Sequence, residues 1–97
     1  MTSDARQPLN VVTTSQYERD QKRVRKRGRR MARLVAVVDL LRNRLALAQR
    51  HRDHPLTGDW QGWRDCHIEP DWILLYRVDE DSGDLILGRT GTHSDLF

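Results

Sequence analysis

Three of the four histidines in this chain, His54, His67 and His93, stand beside carboxylates and arginines in three short runs. The first is His54-Pro55-Leu56. The second is Trp63-Arg64-Asp65-Cys66-His67-Ile68-Glu69-Pro70-Asp71-Trp72. The last is Arg89-Thr90-Gly91-Thr92-His93-Ser94-Asp95-Leu96-Phe97. Histidine both gives and takes a proton near neutral pH. Three of them in so small a chain, next to aspartates and arginines, point to proton transfer on an anionic substrate.

The elements that must position these groups follow from pattern. Residues 1–8 are polar without periodicity and read as a loose head. Leu9 to Val12 reads as a short strand. Ser15-Gln16-Tyr17-Glu18 has the form of a capping box opening a basic helix, which ends near Gly28. A second helix starts at Arg29 or Arg30, with Met31, Leu34, Val38, Leu41 and Leu45 as its apolar stripe. The two form a helical hairpin. A turn-rich loop spans residues 46–61. Three strand runs follow, over 62–68, 72–78 and 85–92, with an acidic hairpin loop between the last two. Helices followed by an antiparallel meander make an α+β domain, helices on one face of the sheet. Strand parity turns Arg64, Cys66 and Ile68 toward the helices, and Trp63, Asp65 and His67 away from them. The expected site is therefore an open sheet face holding His67, Asp65, Arg89 and His93.

At 97 residues the chain makes one domain, residues 1–97, with a small core. No apolar run approaches the roughly 20 residues of a membrane span, and no signal peptide is apparent. Cys66 is alone, which suits a reducing cytoplasm. The charge is divided. The first 50 residues carry 13 Lys/Arg against 4 Asp/Glu, and the remaining 47 carry 4 against 10. Arg23, Arg25, Lys26, Arg27, Arg29 and Arg30 crowd one stretch. Such density reads as a phosphate-binding surface, a solvated helix face or a dock for an acidic partner.

The runs 53–58, 64–72 and 89–97 together resemble the YafQ family of bacterial toxins, within the RelE/ParE superfamily of type II toxin–antitoxin systems. The match is dense from Asp53 to Phe97 and extends to the helical half mainly in layout. The resemblance implies a RelE-like fold and a small endoribonuclease that cuts messenger RNA on the ribosome without a metal or other cofactor. It also implies a cognate antitoxin, bound in a hetero-oligomer; the free toxin is expected to be a monomer. Carried over by position, the functional residues are His54, Asp65, His67, Asp71, His93 and Phe97. The chain departs from the family upstream, in its arginine-rich first helix and in the lack of a proline near residues 45–49.

RNA cleavage of this kind needs a base for the 2′-hydroxyl, an acid for the leaving 5′-oxygen and positive charge for the transition state. His54 is taken as base and His93 as acid, an order that the residues leave open. His67 would steady the phosphate, with Asp65 or Asp71 orienting an imidazole. Arg89 and Arg64 are candidate phosphate clamps, and Phe97 could stack on a base. The arginine-rich helix would meet the ribosome or the antitoxin. Plainer accounts exist. His54 and Asp71 adjoin prolines and could shape turns. Trp60, Trp63 and Trp72 read as packing residues, and His51 as exposed and idle. The histidine spacing fits no strong zinc signature. The alternative function is a non-catalytic gyrase poison of the ParE kind, or a basic nucleic-acid-binding module.

Overall fold

The structure, a computed structural model, describes residues 6–97. Residues 1–5 of the expected loose head lie outside that span. Its remainder is tied down: Arg6 pairs with Glu80 at 3.1 Å, and the Gln7 carbonyl accepts from Arg44 Nε at 3.0 Å. Strand β1 (Asn10–Thr13) follows. Helices α1 (Ser15–Lys26) and α2 (Met31–Arg42) come next, separated by Gly28 at φ 81°. Only glycine adopts that left-handed conformation at little cost. The N-cap of α1 is Thr14, one residue before the expected Ser15; its Oγ1 accepts from Tyr17 N–H at 3.0 Å. The neighbouring strand of the sheet decides between the two hydroxyls, because the Thr14 hydroxyl also donates to the Gly88 carbonyl there at 2.9 Å.

The loop expected over residues 46–61 is not structureless. It holds a 3-10 turn (Gln49–His51), a two-residue strand β2 (His54–Pro55) and a second 3-10 turn (Gly58–Trp60). Then come β3 (Arg64–Glu69), β4 (Trp72–Asp79), β5 (Asp84–Gly91) and the short helix α3 (His93–Leu96). The sheet has five strands in the order β1-β5-β4-β3-β2. β1 runs parallel to β5, and the other pairs are antiparallel.

The main core lies between sheet and helices. Leu34, Val37 and Leu41 of α2 and Tyr17 and Val24 of α1 pack on Cys66, Ile68, Trp72, Leu74 and Tyr76. The helices do not seal against each other. A groove of about 330 Å³ remains between β1, α1 and α2, with Val11, Met31, Val35 and Val38 in its lining. The opposite sheet face, expected to be open, carries a second, smaller apolar cluster. There Ile73, Leu75 and Leu96 are buried with Leu56 and Trp60 packed against them. That cluster gives the histidine face a floor and a wall.

Candidate active site

Pairing places the three histidines around one carboxylate. His54 on β2 stands opposite Asp65 on β3, and Asp65 and His67 share a face two residues apart. Ile73 on β4 lies between His67 and Gly91, so the strand leading into α3 ends beside them. His93 opens α3 two residues later. His54 thus faces Asp65 across the β2–β3 pair, and His67 Nε2 lies 3.6 Å from its carboxylate.

Asp65 is only 5% exposed, and its Oδ1 has no hydrogen-bond partner among the described residues. His67 Nε2 lies 3.6 Å from it. Burial raises the Asp65 pKa above the ordinary carboxylate value; positive charge on His54, His67 and His93 pulls the other way without outweighing it. The folded protein thus holds that proton more tightly than the unfolded chain does. Ionisation at neutral pH costs stability, and the cost disappears as pH falls below the unfolded value near ~3.9. An isosteric Asp65→Asn variant is therefore expected to melt no lower than wild type at pH 7, while losing at least roughly tenfold in cleavage rate. A thermal melt beside a cleavage assay checks both halves.

Backbone carbonyls fix two of the imidazoles. His54 Nδ1 lies 2.6 Å from the Arg52 carbonyl, so Nδ1–H donates to it and Nε2 is left outside that bond. Arg52 holds the left-handed conformation at φ 48°, within the turn that leads into β2. His67 Nδ1 donates to the Pro70 carbonyl at 3.1 Å, which leaves its Nε2 toward Asp65. The third imidazole, His93, rests on Phe97, with ring centroids 5.0 Å apart. Phe97 is 52% exposed and also meets Trp60 edge-on at 6.5 Å. A capping box built by Thr92 and Asp95 sets the start of α3. Arg27, at the end of α1, clamps the same Asp95 at 2.6 Å. This pairing, ahead of the competing desolvation and alongside the Thr92 N–H, holds the Asp95 carboxyl well below the usual range.

Not every expected residue joins the cluster. Asp71 sits on the β3–β4 turn with its side chain 74% exposed, 3.7 Å from Arg29. Arg64 lies on the helix face, as parity indicates, and its Nε donates to Asp53 at 3.1 Å. A clamp reaching the histidines from there is not what the structure offers. Arg89 pairs across the sheet with Leu75, but its guanidinium donates to buried Asp20 at 2.7 Å. Three members of the basic helix stretch are also engaged internally. Arg23 pairs with Asp20, Arg27 with Asp95, and Arg29 with Glu69 while lying 5.8 Å over the Trp72 ring. Arg25, Lys26 and Arg30 remain exposed. His51 is not exposed and idle: it is buried, with Nδ1 2.6 Å from the His67 carbonyl. That bond supports β3 where its register shifts between His67 and Glu69.

Fold and site together define a small α+β protein whose sheet carries a histidine–carboxylate centre fit for acid/base work. Residues 9–97 match the family described as the bacterial toxin of type II toxin–antitoxin systems, YafQ. The chain belongs to that family. It is 45% identical to the mRNA interferase toxin YafQ of Escherichia coli K12 over 89 residues, covering 91% of this chain and 95% of the relative. The crystal structure of YafQ from E. coli BL21(DE3) superposes with a TM-score of 0.85 at 39% identity, covering 92% of this chain and 98% of that one. The toxin in the E. coli DinJ–YafQ toxin–antitoxin complex superposes at 0.84 with 42% identity, covering 93% and 98%. The RelE-like α+β arrangement read from the sequence is the fold found.

Proposed function

We propose that this chain is the toxin of a type II toxin–antitoxin system and cleaves messenger RNA on the ribosome by acid/base chemistry. The observation that carries the reading is the gathering of His54, His67 and His93 around buried Asp65 in a chain of the YafQ family. His54, whose Nδ1 is held by the Arg52 carbonyl, takes the proton from a 2′-hydroxyl at Nε2. The 2′-oxygen then attacks the phosphorus, the bond to the 5′-oxygen breaks, and His93 supplies that oxygen with a proton. A 2′,3′-cyclic phosphate and a 5′-hydroxyl result. His67, oriented by the Pro70 carbonyl and backed by Asp65, steadies the charge that builds on the phosphate. Asp71 acts through the turn that holds His67. Phe97 offers its exposed ring to a base.

A cognate antitoxin is the expected partner. Exposed Arg25, Lys26 and Arg30 support contact with its acidic residues or with ribosomal RNA. No helix among the described residues is long and apolar enough to cross a membrane. A cytoplasmic site of action suits an enzyme that works on translating ribosomes. Primer extension on a reporter mRNA in a translating extract tests the proposal. Discrete cuts within the reading frame are expected. Growth arrest in cells with intact transcripts and an SOS response would favour gyrase poisoning instead.

A further inference from the structure

The histidine cluster accounts for one phosphate, yet the same sheet face continues past it. His93 rests on Phe97, Phe97 meets Trp60, and Trp60 meets Trp63 edge-on at 5.9 Å. Arg77 then lies over the Trp63 ring, 5.6 Å from its centroid. This unbroken aromatic path leads from the proposed acid to a guanidinium. Arg77 shares its face of β4 with Ile73 and Leu75, and Leu75 pairs with Asp65. It therefore stands two residues, about 7 Å, along the strand from the Asp65 row.

Most arginines near the sheet are already paired: Arg64 with Asp53, Arg89 with Asp20, Arg29 with Glu69. Arg77 has no carboxylate partner among the described residues; its contact is the indole. The indole is itself held in place. Trp63 packs so closely over Gly88 that a Cβ there would overlap its ring, and the β4–β5 register shifts at that point. Glycine at the bulge thus makes room for the ring that carries Arg77. An arginine braced on an aromatic face keeps its N–H edge free for a phosphate.

We propose that Arg77 is the phosphate clamp for the nucleotide next to the scissile one, that Trp63 positions it, and that Trp60 forms the base-stacking floor between Arg77 and Phe97. Single-stranded RNA fits such a strip because every base has a stacking face and every linkage a negative charge. The assignment rests on the nuclease reading above and extends its site by one nucleotide.

Single-turnover cleavage of mRNA on purified ribosomes, measured across a series of toxin concentrations, tests it. Arg77→Ala is expected to raise the half-saturating toxin concentration roughly five- to tenfold, with a smaller drop in the rate at saturation. The logarithmic salt dependence should flatten by about 0.7, the loss of one phosphate contact to a single strand. Arg77→Lys should recover part of the binding, since it restores charge without the planar stack. Trp60→Leu, which keeps an apolar side chain over Leu75 and Leu96, should shift half-saturation in the same direction. Wild-type half-saturation and salt dependence in Arg77→Ala, while the unaltered protein cuts normally, would overturn the assignment alone. No cutting by the unaltered protein would overturn the nuclease reading and the assignment with it.

Discussion

Replacing His93 with alanine is expected to slow mRNA cleavage by about 10²–10⁴-fold, the usual worth of a positioned general acid. His54→Ala should cost a similar factor. The double variant should lose little more than the worse single one, because an acid and a base that serve one displacement act as a unit. Stability should hardly move. Both imidazoles are exposed, and neither side chain belongs to either apolar cluster. The pH dependence separates the roles. Loss of the base removes the limb on which rate rises with pH, and loss of the acid removes the limb on which it falls. Folded His54→Ala and His93→Ala proteins that cut at the wild-type rate would sink the acid/base scheme.

What could be read from the sequence was local. Alternation along 64–68 separated Cys66 and Ile68 from Asp65 and His67, because a strand needs only its own residues to set parity. Gly28 marked the break between the helices for the same reason. What escaped depends on partners distant in the chain. Strand β2 is two residues long and shows no alternation; it exists because it pairs with Arg64 and Asp65. Asp65 was expected on an open face, but Leu56, Trp60 and Leu96 close over the neighbouring sheet from loop and tail. His51 looked idle since nothing beside it in sequence needs it; its partner is the His67 carbonyl, sixteen residues on. Arginine density marked the basic helix correctly as charged and said nothing of which arginines are used inward. Arg27 answers to Asp95 across 68 residues, and no local pattern encodes that. Nothing beside Arg77 in the sequence marks it; its contact is the Trp63 ring, from a different strand run.

Asp20→Ala is expected to give the largest loss of stability of any single substitution considered. Asp20 is 1% exposed, midway along the basic helix α1, at the point where β1 stops and β5, still paired with β4, becomes the sheet edge. There its Oδ2 accepts from Thr90 N–H at 3.2 Å and from Arg89 Nε at 2.7 Å, while Oδ1 takes Arg23 at 3.0 Å and Gln16 at 3.1 Å. One carboxylate thus caps a bare sheet edge and neutralises two arginines. Removing it strands Arg89, the Thr90 N–H and part of Arg23 without a counter-charge or acceptor. Breaking a buried pair from one side costs about 3–5 kcal/mol. At roughly 4–8 °C per kcal/mol for a chain of this size, the Tm should fall by at least about 10 °C. Burial works to raise the Asp20 pKa, but the hydrogen bonds from Arg89, Gln16 and Thr90 outweigh it and hold the group below the ordinary carboxylate value. A depressed folded pKa contributes stability that is complete above the unfolded value near ~3.9 and is lost as pH falls through the lower, folded one. Asp20→Asn should therefore flatten the acid limb of the stability profile and lower the neutral plateau. Arg89→Ala measured alone and together with Asp20→Ala would divide the effect. A double variant more stable than Asp20→Ala alone is expected, because it removes the arginine stranded beside the sheet. Cleavage should fall with both, since β5 leads through Gly91 into the turn that sets His93, and Asp20 fixes the strand from which that turn departs.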